Sequence, residues 1–379
     1  MGKHSRCIRF ECVMTAVLCL ALCSMSGATE IPVNKDGGVN LDEYCAQFKQ
    51  PALDDQDYLQ QIEQERKEYG IAARDIQVVN LYYMKFMQLK TWNVPFARLP
   101  LLREDGQVRE RVVQRKQMTM PLDSGIETKA IFAFLSPNEV RGMKALMISY
   151  YSPERESDYW MYMPSLRRIR RISAADRDDS FFGSDCTWAD AADIKVDEEK
   201  HRLLKIERYP IKWDETVYCE PHTEAWLHNF DPKCVAEDAS RDKCESLEHD
   251  FAFKDKFPLS PGRRPNLENL GPECYVVESI PQWPTYYAKK VTWFHKQHKF
   301  ALCQDYYDEK GRHIKYFKRT WIRIGERPGK GGPIWSISWW FVKTLTTGHS
   351  TFHDIITQEG NPPIQEYYFT QSYMLSTGR

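Results

Sequence analysis

Closely spaced arginines and aromatic residues are the side chains of this sequence that most clearly indicate a binding site. They concentrate between Trp160 and Asp185, in the sequence WMYMPSLRRIRRISAADRDDSFFGSD. Guanidinium groups bind phosphates and carboxylates through paired hydrogen bonds. We therefore predict contacts with a lipid headgroup or an acidic partner for Arg167, Arg168, Arg170 and Arg171. The alternative is that they pair within the chain, with Asp176, Asp178, Asp179 and Asp185.

Catalytic and metal-binding patterns give little support to an enzyme. The sequence contains no nucleotide loop, zincin helix or nucleophile elbow, and no Ser-His-Asp or paired-carboxylate arrangement can be named. Cys219, His222, His228 and Cys234 do not have the spacing of a standard zinc module. We predict a non-enzymatic protein without cofactor or metal. A hydrolase stays open as an alternative, because catalytic triads assemble from residues far apart in sequence.

The first residues have the pattern of an export signal. Lys3, Arg6 and Arg9 precede an apolar run, and the small residues Ser26-Gly27-Ala28 follow it. The apolar run is too short to cross a bilayer, which needs roughly 20 residues. The sequence therefore predicts a signal peptide over residues 1–28, cleaved after Ala28, and export of the mature chain. Lipidation at Cys23 is a weaker alternative, because Leu22 is larger than the residue that a lipobox requires.

Charge and cysteine content narrow the class further. The chain has 52 Lys and Arg against 53 Asp and Glu, so it lacks the broad basic footprint of a nucleic-acid-binding protein. An exported chain can oxidise its cysteines. We predict disulfides in the loop-rich region, with Cys219, Cys234, Cys244 and Cys274 as candidates. Their pairing cannot be deduced from sequence.

Alternating apolar runs separated by turn residues predict a mainly β protein. Residues 55–70 are typical of a helix, with Asp54-Asp55 as a cap and Gly70 as a stop. Strand character begins at Ile76, and turns follow at 138–142 and 308–311. We predict an N-terminal extended segment and helix over 29–75 and a β domain over 76–379. The region 213–284 has little periodicity and is interpreted as a cysteine-rich insertion.

Taken in order, these residues resemble the periplasmic proteins of the outer-membrane lipoprotein-sorting type, relatives of LolA and LolB. The resemblance rests on Trp160 to Pro164, the arginines after it and Phe181 to Asp185, with weaker support from Thr347 to Thr351 and Phe369-Thr370. It implies a curved antiparallel sheet, or incomplete β-barrel, with a helical lid over a cavity for acyl chains.

The resemblance also implies which residues form the site. Candidates for lipid binding are Phe132, Phe134, Leu146, Ile148, Trp160, Tyr162 and Trp293, and the alternative is that they belong to the core. The pleat places Trp160 and Tyr162 on one face of their strand, with Tyr159, Met161 and Met163 on the other. Phe182, Gly183, Ser184 and Asp185 are expected to form a structural turn.

The function implied is a periplasmic carrier or chaperone for lipid or acylated lipoprotein cargo. Its partners would be acyl chains, and an inner-membrane exporter or outer-membrane acceptor. The alternative is an adaptor of an envelope exporter whose cavity is filled. A carrier needs a cavity of roughly several hundred Å³ and an adaptor does not.

Overall fold

The structure is a computed structural model. It describes residues 55–82, 89–121, 124–150, 152, 155–173, 176–192, 194–209, 272–326 and 333–376. The predicted signal peptide, the candidate lipidation site Cys23 and three of the candidate disulfide cysteines, Cys219, Cys234 and Cys244, lie outside these residues. Within them, no helix is both long enough and apolar enough to cross a bilayer.

Thirteen antiparallel strands form one sheet. Their bounds are β1 (Thr91–Leu102), β2 (Val108–Thr119), β3 (Ile126–Ser136), β4 (Lys144–Tyr150), β5 (Asp158–Met163), β6 (Arg168–Ile172), β7 (Glu199–Arg208), β8 (Glu273–Pro281), β9 (Lys289–His295), β10 (Ala301–Tyr307), β11 (His313–Glu326), β12 (Pro333–Thr344) and β13 (Ser350–Gly360).

The sheet consists of two meanders that join at its centre. Its strand order is β6-β5-β4-β3-β2-β1-β13-β12-β11-β10-β9-β8-β7, so β1 pairs with β13 while β6 and β7 lie at the two edges. No described pairing joins β6 to β7, and the sheet is therefore open. These features confirm the predicted mainly β class with an open antiparallel sheet.

In the described part of the chain, four α-helices accompany the sheet: α1 (Gln56–Tyr69), α2 (Ala73–Tyr82), α3 (Trp188–Ala192) and α4 (Gln371–Leu375). The prediction for α1 is confirmed. The Asp55 carboxylate caps it by accepting a hydrogen bond from Tyr58 N at 3.0 Å, and Gly70 ends it with φ 74°. A left-handed residue at this position favours glycine.

The predicted strand starting at Ile76 is wrong where the structure describes it, because residues 73–82 form α2. The β-branched residues here have strand propensity, but tertiary packing overrides it. Ile76 is fully buried and packs in one cluster with Phe294 and Leu203 of the sheet. The Glu65 carboxylate also accepts a hydrogen bond from Ala73 N at 2.8 Å, which anchors the start of the helix. The predicted domain boundary at residue 75 consequently falls inside α2.

The predicted insertion at 213–284 also ends earlier than expected. Its last part forms β8, which pairs with β7 on one side and β9 on the other. Burial on both faces hides the alternation that would have marked this strand. Residues 210–271 lie outside the described part of the chain.

The two faces of the sheet are covered by different segments. We call the face that carries Phe132, Tyr306 and Phe317 the inner face; it packs against the segment that runs from Phe181 through α3. The opposite, outer face of β3 to β6 packs against the 3-10 turn Glu366–Phe369 and α4. The bulky residues on one side of β5 are thus buried by the segment from Phe181 through α3, and those on the other side by the C-terminal segment.

Candidate functional site

The Phe-Phe-Gly-Ser-Asp sequence forms a tight turn on the inner face. Phe182 and Gly183 both have left-handed backbones, with φ of 54° and 72°. The two phenylalanines anchor the turn: Phe181 meets Phe132 at a ring distance of 5.2 Å, and Phe182 meets Phe134 at 4.5 Å. Ser184 closes the turn by donating its hydroxyl to the Phe181 carbonyl at 2.6 Å. These contacts hold the turn against the inner face of the sheet.

Asp185 fastens this turn to the last two strands. Its carboxylate accepts hydrogen bonds from the Thr344 hydroxyl at 2.7 Å and the Thr351 hydroxyl at 2.8 Å. Its backbone N–H donates to the Thr351 oxygen at 2.8 Å. The hydrogen-bond partners of the carboxylate are thus threonine hydroxyls of β12 and β13. Two parts of the sequence resemblance, about 160 residues apart, therefore meet in space.

Beside the turn lies an open groove with an apolar lining and a volume of about 370 Å³. We call it the methionine groove. Its apolar lining residues are Val140, Met143, Met161, Ile172, Phe182 and Trp188, and its charged ones are Arg111, Arg170, Asp176 and Asp179. Methionine side chains are flexible and polarizable, so they adapt to apolar ligands of different shape.

A second groove of about 610 Å³ continues from the methionine groove, since both include Arg111 and Gly183. Its remaining lining is strongly charged, with Arg103, Glu104 and Arg109 among its residues. Apolar surface and charged surface are therefore adjacent at this end of the inner face. Such an arrangement suits an amphipathic ligand.

The four predicted arginines point in different directions. In β6 the pairing places Arg170 opposite Met161 and Arg171 opposite Trp160, so these neighbours lie on opposite faces. Arg170 lines the methionine groove. Arg171 forms an ion pair with Asp158, which is not one of the aspartates considered from the sequence. Arg167 lies in the turn before β6 with φ of 49°, and Arg168 is exposed.

The structure divides the predicted lipid-binding residues among three places. Phe132 and Phe134 lie on the inner face, where they pack against the turn. On the outer face, beneath the C-terminal segment, lie Leu146, Ile148, Trp160 and Tyr162. Trp293 packs near Tyr209 in a separate cluster. These seven residues do not form one pocket.

Sequence reasoning missed Met143, Ile172 and Trp188 as groove residues. A signal was present for Met161, whose alternation with Trp160 placed the two on opposite faces. Met143 follows a turn and Trp188 begins a five-residue helix. The sequence around each of these two residues is too short or too irregular to show a periodicity that would predict which way the side chain points.

A smaller polar cavity of about 150 Å³ lies further along the inner face, beneath α2. We call it the inner cavity. Two buried ion pairs border it: Lys315 Nζ lies 2.7 Å from Asp190, and Lys290 Nζ lies 2.7 Å from Glu199. Tyrosine hydroxyls complete both pairs, since Tyr306 donates to Asp190 at 3.1 Å and Tyr287 donates to Glu199 at 2.9 Å.

Asp190 remains charged within this network. Burial alone would raise the pKa of its carboxyl group, but the Lys315 ammonium and the hydrogen bonds from Lys315 and Thr187 outweigh that effect and lower it. A buried carboxylate is tolerated when it is paired and hydrogen-bonded. The centre of the inner face is thus polar and largely filled.

The cysteines of the described residues are buried, and the potential metal ligands there do not cluster. Cys186, Cys274 and Cys303 are buried free thiols, and burial raises the pKa of Cys274 to about 12. A protonated thiol is a weak nucleophile. The described residues contain no group of three or more His, Cys, Asp or Glu that could hold a metal ion. Because the other candidate cysteines lie outside the described chain, disulfide pairing in this region stays a prediction.

The open sheet with a segment that crosses its inner face is a fold that this chain shares with proteins of known structure. A crystal structure described as an outer membrane lipoprotein-sorting protein domain from Vibrio parahaemolyticus matches with a TM-score of 0.56 and 17% identity, covering 80% of this chain and 98% of that one. A DUF1329 family protein from Desulfovibrio piger matches with a TM-score of 0.55 and 21% identity, covering 80% and 97%. These similarities confirm the fold implied by the sequence resemblance.

The family assignment comes from the sequence itself. A family model described only as an uncharacterized protein matches residues 127–224 and 266–376. The chain belongs to that family, because the two segments make up more than half of its length. No curated protein matches the sequence.

Proposed function

We propose that this protein is a non-catalytic periplasmic carrier or chaperone for lipid or acylated lipoprotein cargo. The observation that carries the proposal is the methionine groove, an apolar groove of about 370 Å³ bordered by Arg111 and Arg170. The fold is shared with a protein described as a lipoprotein-sorting domain. Transport of lipid or lipoprotein toward the outer membrane is the corresponding role, with an exporter and an acceptor as partners.

The size and lining of the methionine groove suit part of an acyl chain. Ligand pockets are commonly about 300–1,000 Å³. Removing apolar surface from water stabilises a complex by roughly 25 cal/mol per Å² and needs no catalytic group. The groove, and not the centre of the inner face, is therefore where we place the acyl chain.

Charge at the border of the groove would orient the cargo. Arg170 is exposed and lines the groove next to Met161, its neighbour across the strand pair. Arg111 is held in place because its guanidinium donates to the Phe182 carbonyl. A phosphate or carboxylate headgroup would meet these guanidiniums while the acyl chain contacts the methionines.

Export and domain organisation belong to the same proposal. Cleavage after Ala28 would release a mature chain in the periplasm, where an N-terminal segment that includes α1 and α2 would precede the β domain. Within that domain, the region from about residue 213 would be a loop-rich insertion held by disulfides. Each of these statements rests on the sequence patterns described above.

An adaptor of an envelope exporter is the second candidate, and one observation favours it. The inner cavity is only about 150 Å³, so the centre of the fold has no room for a long acyl chain. An adaptor would use the same fold as a rigid platform and would hold no cargo. The two candidates differ in whether the purified protein binds lipid.

Binding measurements on the mature chain separate these candidates. The protein is purified from a periplasmic preparation and extracted for mass spectrometry of bound lipid, and uptake of a fluorescent fatty acid is titrated. We expect a stoichiometric acyl ligand and saturable uptake. A lipid-free protein that takes up no fatty acid would contradict the carrier and favour the adaptor.

Neighbouring arginines provide a matched control for the same titration. Arg170→Gln should weaken fatty-acid binding about tenfold, because a hydrogen bond to a charged group contributes roughly 1.5–3 kcal/mol. Arg171→Gln, on the opposite face, should bind the fatty acid within about twofold of the unaltered protein, because the Arg171 side chain makes no hydrogen bond with the ligand that the substitution could remove. Equal weakening by both substitutions would place the ligand elsewhere.

A further inference from the structure

The inner cavity is shared by the two halves of the sheet. Arg115 reaches it from β2 and Arg319 reaches it from β11. Gln77 and Asn80 of α2 line it from the other side, and Asn80 is fixed because its side-chain oxygen accepts a hydrogen bond from Ala301 N at 3.0 Å. The cavity therefore lies between the sheet and a held helix, separate from the methionine groove.

The charged groups around this cavity are unequal in number. Its cationic lining residues are Arg115, Lys290 and Arg319, and its anionic ones are Asp190 and Glu199, while the Lys195 ammonium donates to the Ser152 and Arg155 carbonyls at an exposed position. Both carboxylates already form ion pairs with lysines, Asp190 with Lys315 and Glu199 with Lys290. Both lining carboxylates are thus already paired with lysines, in a part of the fold where an unpaired charge is costly to bury.

Arg319 is the cation best placed to receive an anion. Its guanidinium donates to the side-chain oxygen of Gln304 at 2.7 Å and lies 3.8 Å from the centre of the Phe317 ring. Both contacts are with neutral groups. A guanidinium has five N–H donors in a planar fork that matches a carboxylate or phosphate. Because Arg319 lines the cavity, N–H groups of its guanidinium can donate hydrogen bonds to a ligand there.

Arg115 and aromatic side chains complete the surroundings. The Arg115 guanidinium lies 4.8 Å from the Trp92 ring, and Trp92 and Trp321 both line the cavity. A volume of about 150 Å³ is about five times the roughly 30 Å³ that one water molecule occupies in the liquid. That space accepts a small molecule with an aromatic or short aliphatic body, and it is too small for a long acyl chain.

We propose that the inner cavity is a binding site for a small organic anion whose carboxylate or phosphate group is held by Arg319 and Arg115. The ligand body lies between the indoles of Trp92 and Trp321. This site is independent of the proposed acyl groove, so either one can fail without the other.

Benzoate, benzamide and inorganic phosphate are suitable probes. Each is titrated calorimetrically into the mature protein. We expect benzoate and phosphate to bind with one site each and to compete with one another, and the neutral isostere benzamide to bind at least tenfold more weakly than benzoate. Equal affinity for benzoate and benzamide would overturn the proposal, because charge would then play no part.

Three variants test whether benzoate binds in the inner cavity. Arg319→Gln should weaken benzoate binding at least tenfold, while Arg171→Gln on the outer face should leave it unchanged. Gln304→Glu places an isosteric carboxylate beside Arg319; we expect it to fold, to raise the Tm and to abolish benzoate binding. Unchanged benzoate binding in folded Gln304→Glu or Arg319→Gln would overturn the proposal even if one variant failed to fold.

The natural source of the anion is settled by competition. A lysophosphatidic acid below its critical micelle concentration is added to the benzoate complex. Displacement that is lost in Arg319→Gln would identify a lipid headgroup as the ligand. Binding of benzoate and phosphate without displacement by the lipid would identify a free small anion.

Discussion

The side chain of Asp185 connects the Phe-Phe-Gly-Ser-Asp turn to the last two strands of the sheet. Its carboxylate is bound by two threonine hydroxyls, one at the end of β12 and one at the start of β13. Through these bonds the turn that carries Phe182 is held against strands formed much later in the chain. Phe182 lines the methionine groove and Asp185 does not, so Asp185 acts on the groove by holding the turn that positions Phe182.

Asp185→Ala is expected to lower the free energy of unfolding by about 3–6 kcal/mol, since its carboxylate loses two hydrogen bonds and each hydrogen bond to a charged group contributes roughly 1.5–3 kcal/mol. Urea denaturation measures the loss. Asp176→Ala is the control, because its carboxylate accepts a hydrogen bond from Ser173 in an exposed position.

A double-mutant cycle with Thr351→Val tests the partner directly. Residues in one hydrogen-bond network are non-additive. We therefore expect the double variant to lose less stability than the two single losses combined. Strict additivity would show that Asp185 and Thr351 act separately.

At the scale of elements, the two edges of the sheet are protected in different ways. Edge strands present unpaired backbone groups that can recruit other chains. At β7, side chains of α1 satisfy them: Tyr58 accepts from His201 N at 2.8 Å, and Glu65 accepts from Leu203 N at 2.9 Å. At β6, three exposed arginines make the edge charged.

Glu65→Ala is expected to destabilise the protein by about 2–5 kcal/mol, because it leaves buried N–H groups of Ala73 and Leu203 without an acceptor at roughly 1–3 kcal/mol each. Hydrogen exchange at the Leu203 amide should accelerate in the same variant. Glu63→Ala, an exposed position of α1, serves as the control and should change neither quantity. Unaltered exchange at Leu203 would mean that α1 does not protect this edge.

Elements with local signals were predictable from sequence, and those set by distant partners were not. The caps of α1 and the turn at 308–311 depend on a few adjacent residues, so they were predicted correctly. The strand predicted at Ile76 was wrong, because Glu65 and the sheet determine α2 from outside the segment.

The candidate site shows the same division. The motif itself pointed to the arginines and the turn, and Arg170 does line the groove. The sequence could not show that Trp160 and Tyr162 are covered by a C-terminal helix of five residues, which is too short for a periodic signal. Their burial on the outer face depends on a segment about 200 residues later.

At the scale of the whole molecule, buried histidines link stability to pH. Burial and the nearby Arg115 charge lower the pKa of His353 to about 3. Burial, with His298 and Lys299 nearby, lowers the pKa of His295 to about 4. Each imidazole is therefore neutral in the folded protein under conditions where an unfolded histidine, with a pKa of roughly 6.5, takes up a proton.

Stability is consequently expected to fall as the pH decreases from about 6.5 toward 3, where the unfolded chain binds more protons than the folded one. His353→Gln should reduce the slope by up to about 1.4 kcal/mol per pH unit, the value for one proton. Urea unfolding at several pH values measures it. His349→Gln, at a side chain that is 39% exposed, is the control. A slope identical in His353→Gln and the unaltered protein would contradict this assignment.

The pairing of β1 with β13 has a consequence for how the chain folds. Trp92 lies opposite Gly360, so the central seam of the sheet joins segments separated by almost the whole described chain. Closing so long a loop costs conformational entropy, so the β1–β13 seam is expected to form only after an interval in which hairpins form first. Each meander can assemble during that interval from hairpins of adjacent strands. The first meander must then wait with an open side, and a chaperone that binds β1 would act in this interval.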